Sequence, residues 1–74
     1  MAKKPTITNS IRRLRFDADE MTQAQLAEKV GVTRQTIVAI EKAKYSPSLE
    51  LAFMIARAFG KEMSDVFTIQ IEDD

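Results

Sequence analysis

Cysteine and histidine are both absent from this 74-residue chain. Without cysteine there is no disulfide, no thiolate metal site and no cysteine nucleophile. Without histidine, the commonest general base and the commonest metal ligand are missing as well. No apolar run approaches the roughly 18 to 20 residues that a membrane span requires. The opening residues, Met1-Ala2-Lys3-Lys4-Pro5-Thr6, are basic but lead into no apolar segment, so they do not read as a secretory signal. A chain of this size buries only about 60% of its unfolded surface. It has no room for a second domain or a deep enzyme cleft. The expectation is one cytoplasmic domain over residues 1–74, a binding module rather than an enzyme, with no metal and no cofactor.

Net charge is also lacking, with eleven basic and eleven acidic side chains, but the balance hides a gradient. Residues 1–15 carry Lys3, Lys4, Arg12, Arg13 and Arg15 and no acid. Residues 61–74 hold Lys61 against Glu62, Asp65, Glu72, Asp73 and Asp74. A basic face on an otherwise acidic body can steer a polyanion, although such asymmetry is common in small soluble domains.

Periodicity predicts five helices and two terminal strands. Ile11 and Leu14 recur at helical spacing, with Asn9 or Ser10 as N-cap. Thr22 with Gln25 three residues on is a capping box, and Gly31 suits the left-handed turn that ends the second helix. Thr33 caps a third helix, in which Ile37 and Ile40 point inward while Arg34, Gln35, Val38 and Lys42 point elsewhere. Ser46 or Ser48 caps a fourth, Leu49 to Phe59, closed by Gly60. Residues 62–67 make a short fifth. Residues 67–71 then alternate apolar and polar, a strand whose partner is residues 5–8, with Ile7 near Ile69.

The functional segment is residues 22–42, two helices joined by a short glycine-containing turn. Ala27 lets the helices cross closely, and Val32, Ile37 and Ile40 fill the space beneath. Helix pairs of this kind also occur in proteins that never meet DNA. What separates the cases is a polar, hydrogen-bonding outer face at the start of the second helix of the pair. Arg34 and Gln35 meet that demand, since Arg suits guanine O6 and N7 and Gln suits adenine N6 and N7. Val38 on the same face suits a thymine methyl.

From Ile11 to Phe67 the sequence resembles helix-turn-helix regulators of the Cro and lambda-repressor type, the Xre-like family. The strongest stretch runs from Met21-Thr22-Gln23 through Arg34-Gln35-Thr36-Ile37-Val38-Ala39-Ile40-Glu41 to Tyr45-Ser46-Pro47-Ser48-Leu49. The small cytolysin-repressor group is similar in its terminal strands around five helices. The resemblance implies a mainly α fold with a small two-stranded antiparallel sheet, and a homodimer on double-stranded DNA. It implies Thr33, Arg34, Gln35 and Val38 in the major groove, with Gln23, Lys42 and Lys44 on phosphates. It also implies a structural ion pair between Arg15 and Glu41. Two stretches depart from the family. The link Phe16-Asp17-Ala18-Asp19-Glu20-Met21 is a residue longer than usual and lacks glycine. Where the family has Glu-Asn-Gly-Lys, this chain has Glu41-Lys42-Ala43-Lys44, so either Ala43 is left-handed or the third helix runs on.

The fourth helix is apolar on nearly all sides, relieved only by Glu50 and Arg57. Such a helix needs cover on both faces. Leu51, Ile55 and Ala58 are expected in the intrachain core, leaving Phe53 and its neighbours for the terminal strands or a second copy; the interface expected with a second copy is Phe53, Met54, Phe67 and Ile69. A two-fold dimer is the simplest cover and suits a pseudo-palindromic operator. The expected function is therefore a homodimeric repressor with no small-molecule ligand and no membrane role. The alternative is an antitoxin or other protein-binding module whose partner covers the fourth helix.

Overall fold

A computed structural model describes residues 4–72. Within them the order is β1 (Lys4–Asn9), α1 (Ile11–Asp17), α2 (Gln23–Val30), α3 (Arg34–Glu41), α4 (Leu49–Ala58), α5 (Met63–Val66) and β2 (Phe67–Glu72). The fold is mainly helical, with a small antiparallel sheet joining the two ends.

Short-range chemistry sets most helix boundaries. The Thr22 hydroxyl accepts from the Gln25 amide at 3.0 Å, while the Gln25 side chain accepts from the Thr22 amide at 2.8 Å. Gly31 ends α2 at φ 77°, a left-handed conformation in which a β-carbon is costly. Its successor Val32 returns its amide to the Ala27 carbonyl at 3.0 Å. Thr33 caps α3, and Ser48 rather than Ser46 caps α4. At α1 Ser10 occupies the N-cap position but makes no side-chain cap; the Asn9 carboxamide oxygen accepts from the Ile11 amide instead.

Each helix sends at least one large side chain into a common core. Ile11, Leu26, Ile37, Ile40, Ile55 and Val66 are all essentially inaccessible to water. Ala27 is buried with them, and α2 packs on both α3 and α4. The inward face of α4 differs from the sequence expectation. Its buried residues are Ala52, Ile55 and Ala56, whereas Leu51 and Ala58 are only half-buried at the core's edge. Small alanines at the centre of the contact allow the helix to approach closely, and the bulkier Leu51 is displaced to the flank.

The strands pair antiparallel with Ile7 opposite Ile69, Pro5 opposite Ile71 and Asn9 opposite Phe67. Alternation puts Pro5, Ile7, Phe67, Ile69 and Ile71 on one face of this ribbon and threonines and Gln70 on the other. Phe67 is half-buried against the helical core, but Ile69 and Ile71 remain exposed.

Candidate nucleic-acid interface

The outer face of α3 begins at a cap. Thr33 accepts the Thr36 amide at 3.3 Å and lies 3.0 Å from the Thr36 hydroxyl, so its own hydroxyl is already engaged in starting the helix. Arg34 and Gln35 follow in the first turn, both exposed, and Val38 is half-buried one turn later. Ile37 and Ile40 clamp the opposite side of α3 in the core, which fixes the helix's rotation and thereby which side chains face out.

The floor beside α3 is a charged network. Arg15 Nε donates to Glu41 Oε2 at 2.7 Å and Arg15 Nη2 to Glu41 Oε1 at 3.1 Å. Arg15 Nη1 donates to the Met21 carbonyl at 2.8 Å, and Gln23 Nε2 donates to Glu41 Oε1 at 3.2 Å. Side-chain exposure is 15% for Arg15 and 10% for Glu41, so the pair is largely shielded and two-pronged. It ties α1, the α1–α2 link, the start of α2 and the end of α3 into one rigid piece. Gln23, assigned to phosphate by the family resemblance, has its side-chain nitrogen directed to Glu41 here. Its backbone amide and that of Ala24 have no acceptor among the described residues, as expected for the first turn of a helix.

The two departures from the family pattern both use left-handed backbone. Asp19 and Glu20 have φ 60° and 57°, and Ala43 has φ 58°. The long link thus turns without glycine, closing with Met21 N–H on the Arg15 carbonyl at 2.8 Å. Helix α3 stops at Glu41 and does not run on; Lys42 is its C-cap, and Lys44 N–H returns to the Ala39 carbonyl at 3.0 Å. Ala43 in this conformation costs about 1 kcal/mol against glycine. Lys42 and Lys44 are both exposed on either side of it.

These elements surround an open groove of about 750 Å³. Of the residues singled out from sequence, Arg15, Gln23, Arg34, Val38, Glu41 and Lys42 line it. Thr33, Gln35 and Lys44 lie outside it. Sequence reading missed Arg12, Phe16 and Glu20, which complete the wall. The signals available were the acid-free basic run that includes Arg12 and the spacing of Arg12 and Phe16, four residues apart and so on one helix face. Away from the groove, α4 leaves Phe53 56% and Met54 48% exposed, and β2 leaves Ile69 57% exposed. Phe67 differs from these three in being half-buried on its own core. No helix among the described residues is long and apolar enough to cross a membrane.

Comparison with known proteins agrees with this geometry. The helix-turn-helix family model matches residues 11–66. An uncharacterised helix-turn-helix-type transcriptional regulator of Methanocaldococcus jannaschii is 59% identical over 54 residues, spanning 73% of this chain and 79% of its own. Another from Bacillus subtilis is 54% identical over 52 residues, 70% of this chain and 79% of its own. The immunity repressor protein of Bacillus phage phi105 is 34% identical over 61 residues, 82% of this chain but 42% of the repressor.

Proposed function

This chain belongs to the helix-turn-helix family of the Cro and lambda-repressor type, a family of transcriptional regulators, and we propose that it is a homodimeric repressor reading a pseudo-palindromic operator. The observation that carries the reading is the outer face of α3. Arg34 and Gln35 stand exposed at its N-terminal end, on a helix whose rotation is fixed by Ile37 and Ile40. A helix so presented enters the major groove end-on, with Arg34 and Gln35 against base edges and Val38 against a thymine methyl. Thr33 lies at the same end. The free amides of Gln23 and Ala24 and the positive pole of α2 meet a phosphate, and Lys42 and Lys44 meet others.

Exposed apolar side chains support dimerisation. Leu49 and Phe53 lie on one stripe of α4, with Met54 beside them, and none is covered by the chain itself. The ribbon adds Ile7, Ile69 and Ile71 on one face. A second copy related by a two-fold axis covers these surfaces and presents two α3 helices to successive turns of duplex, about 34 Å apart. Repression then needs nothing beyond occupation of a promoter, consistent with a relative named as an immunity repressor.

Selection of binding sites from a random duplex pool tests the reading. The expected product is a two-fold symmetric motif whose half-sites lie one helical turn apart. Failure to enrich any motif would refute sequence-specific binding. An asymmetric single half-site, bound by a protein that sediments as a monomer, would refute the dimer, as would a stable complex with a different protein across α4.

A further inference from the structure

We infer that the DNA-contacting surface extends beyond the helix-turn-helix onto α1, where Arg12 takes a backbone phosphate. This rests on the proposed function and adds a contact that neither the helix-turn-helix pattern nor the family resemblance supplies. The groove beside α3 has two walls, one formed by Arg34, Val38 and Lys42 and the other by Arg12 and Phe16 of α1. At its floor Arg15 and Glu41 neutralise each other. The charges left to the groove are Arg12, Arg34 and Lys42 against Glu20, a positive excess. The ion pairs among the described residues are Arg13 with Asp17 and Arg15 with Glu41, and Arg12 enters neither.

Geometry gives the excess a direction. Gln23 and Ala24, whose backbone amides have no acceptor among the described residues, line the same groove. Arg12 of α1 and Lys42 at the end of α3 line it with them. A nucleic-acid strand supplies a row of anions, one every 3.4 Å or so along the helix axis, and so matches a row of donors better than a single small anion does. The guanidinium of Arg12 offers a planar fork suited to two phosphate oxygens. Phe16, one turn on and 67% exposed, stands beside it as an apolar wall. Arg13, by contrast, is outside this groove and reaches Asp17 at 3.6 Å.

The test is a salt titration of the full chain on two duplexes, the selected operator and a random sequence. Arg12→Gln should weaken both by on the order of tenfold per protomer near 0.1 M salt and lower the slope of log affinity against log salt by about 0.9 per protomer. Base preference should stay as in the wild type, and Arg12→Lys should restore most of the slope. Arg13→Gln should change little, and all three variants should melt as the wild type does. A wild-type slope in Arg12→Gln would overturn the assignment, as would an equal loss in Arg13→Gln, which means diffuse charge and not a site. Altered base preference in Arg12→Gln would move the side chain to a base edge and overturn the phosphate contact. Wild-type protein that binds no duplex would overturn this inference and the proposed function together. Wild-type binding with an unaffected Arg12→Gln overturns this inference alone.

Discussion

The helix-turn-helix and the surface formed by α4 and the ribbon handle their apolar residues in opposite ways. In α2 and α3 the large apolar residues on the inner side, Leu26, Val30, Ile37 and Ile40, are buried by the chain itself, and what remains outside is polar except for the small Ala24 and the half-buried Val38 and Ala39. On α4 and the ribbon, Leu49, Phe53, Met54, Ile69 and Ile71 stay exposed although they are as apolar as the core. Exposed apolar clusters of this kind mark association surfaces. One half of the molecule keeps its large apolar residues inside, and the other leaves several of them exposed. Stability and DNA affinity should therefore respond to different substitutions.

Phe53→Glu is the strongest separation of the two halves. Placed at a two-fold contact, the carboxylate must be desolvated beside its own copy. Operator affinity should fall by about 10²- to 10⁴-fold as linkage between half-sites is lost, with base preference intact. Sedimentation and DNA titration on one sample check it; a variant that stays dimeric would move the interface to the ribbon. Ile37→Ala attacks the helix-turn-helix instead. It should cost about 2–5 kcal/mol in chemical denaturation, because the cavity sits where α3 is clamped. If stability barely changed, Ile37 would not be the clamp described above.

Smaller effects refine the outer face of α3. Arg34→Ala or Gln35→Ala should cost about 1–3 kcal/mol at the selected site and relax preference at one base pair, while leaving the melting temperature nearly unchanged. Intact preference after both changes would put base reading elsewhere. The smallest effect concerns the backbone beyond α3. Ala43→Gly should raise stability by up to about 1 kcal/mol by relieving the left-handed alanine, measurable in the same denaturation experiment. A loss of stability would mean that the neighbouring hydrogen bonds, and not the φ angle, dominate there.

Much of the architecture was legible because it depends on residues close in sequence. The Thr22–Gln25 box, the Gly31 turn and the Thr33 cap each need only a local pattern, and the alternation within each terminal strand needs only a period of two, whereas pairing Ile7 with Ile69 joins distant residues. The α4 face was read less well. With apolar residues all round that helix, periodicity does not choose between Leu51 with Ala58 and Ala52 with Ala56. Only the shape of the surface offered by α2 and the rest of the core does. The groove was partly legible, through Arg34, Val38 and Lys42, but its α1 wall was not, because Arg12 and Phe16 belong to a helix remote from α3 in sequence.

By itself, then, the sequence determined the five helices, the caps at Thr22 and Thr33, the alternation of the terminal strands and the polar outer face of α3. Each follows from side-chain chemistry acting within a few residues along the chain. Besides the inward face of α4, tertiary structure decided three things. It gave left-handed backbone to Asp19 and Glu20, where closing the link onto Arg15 outweighs the cost of a β-carbon. It directed the Asn9 side-chain nitrogen to the Ile40 carbonyl at 2.9 Å, joining the ribbon to the end of α3. It also brought Gln23 to Glu41, so that the residue starting α2 steadies the end of α3. The last two contacts join groups 31 and 18 residues apart in sequence, and their partners are defined only once the helices have packed.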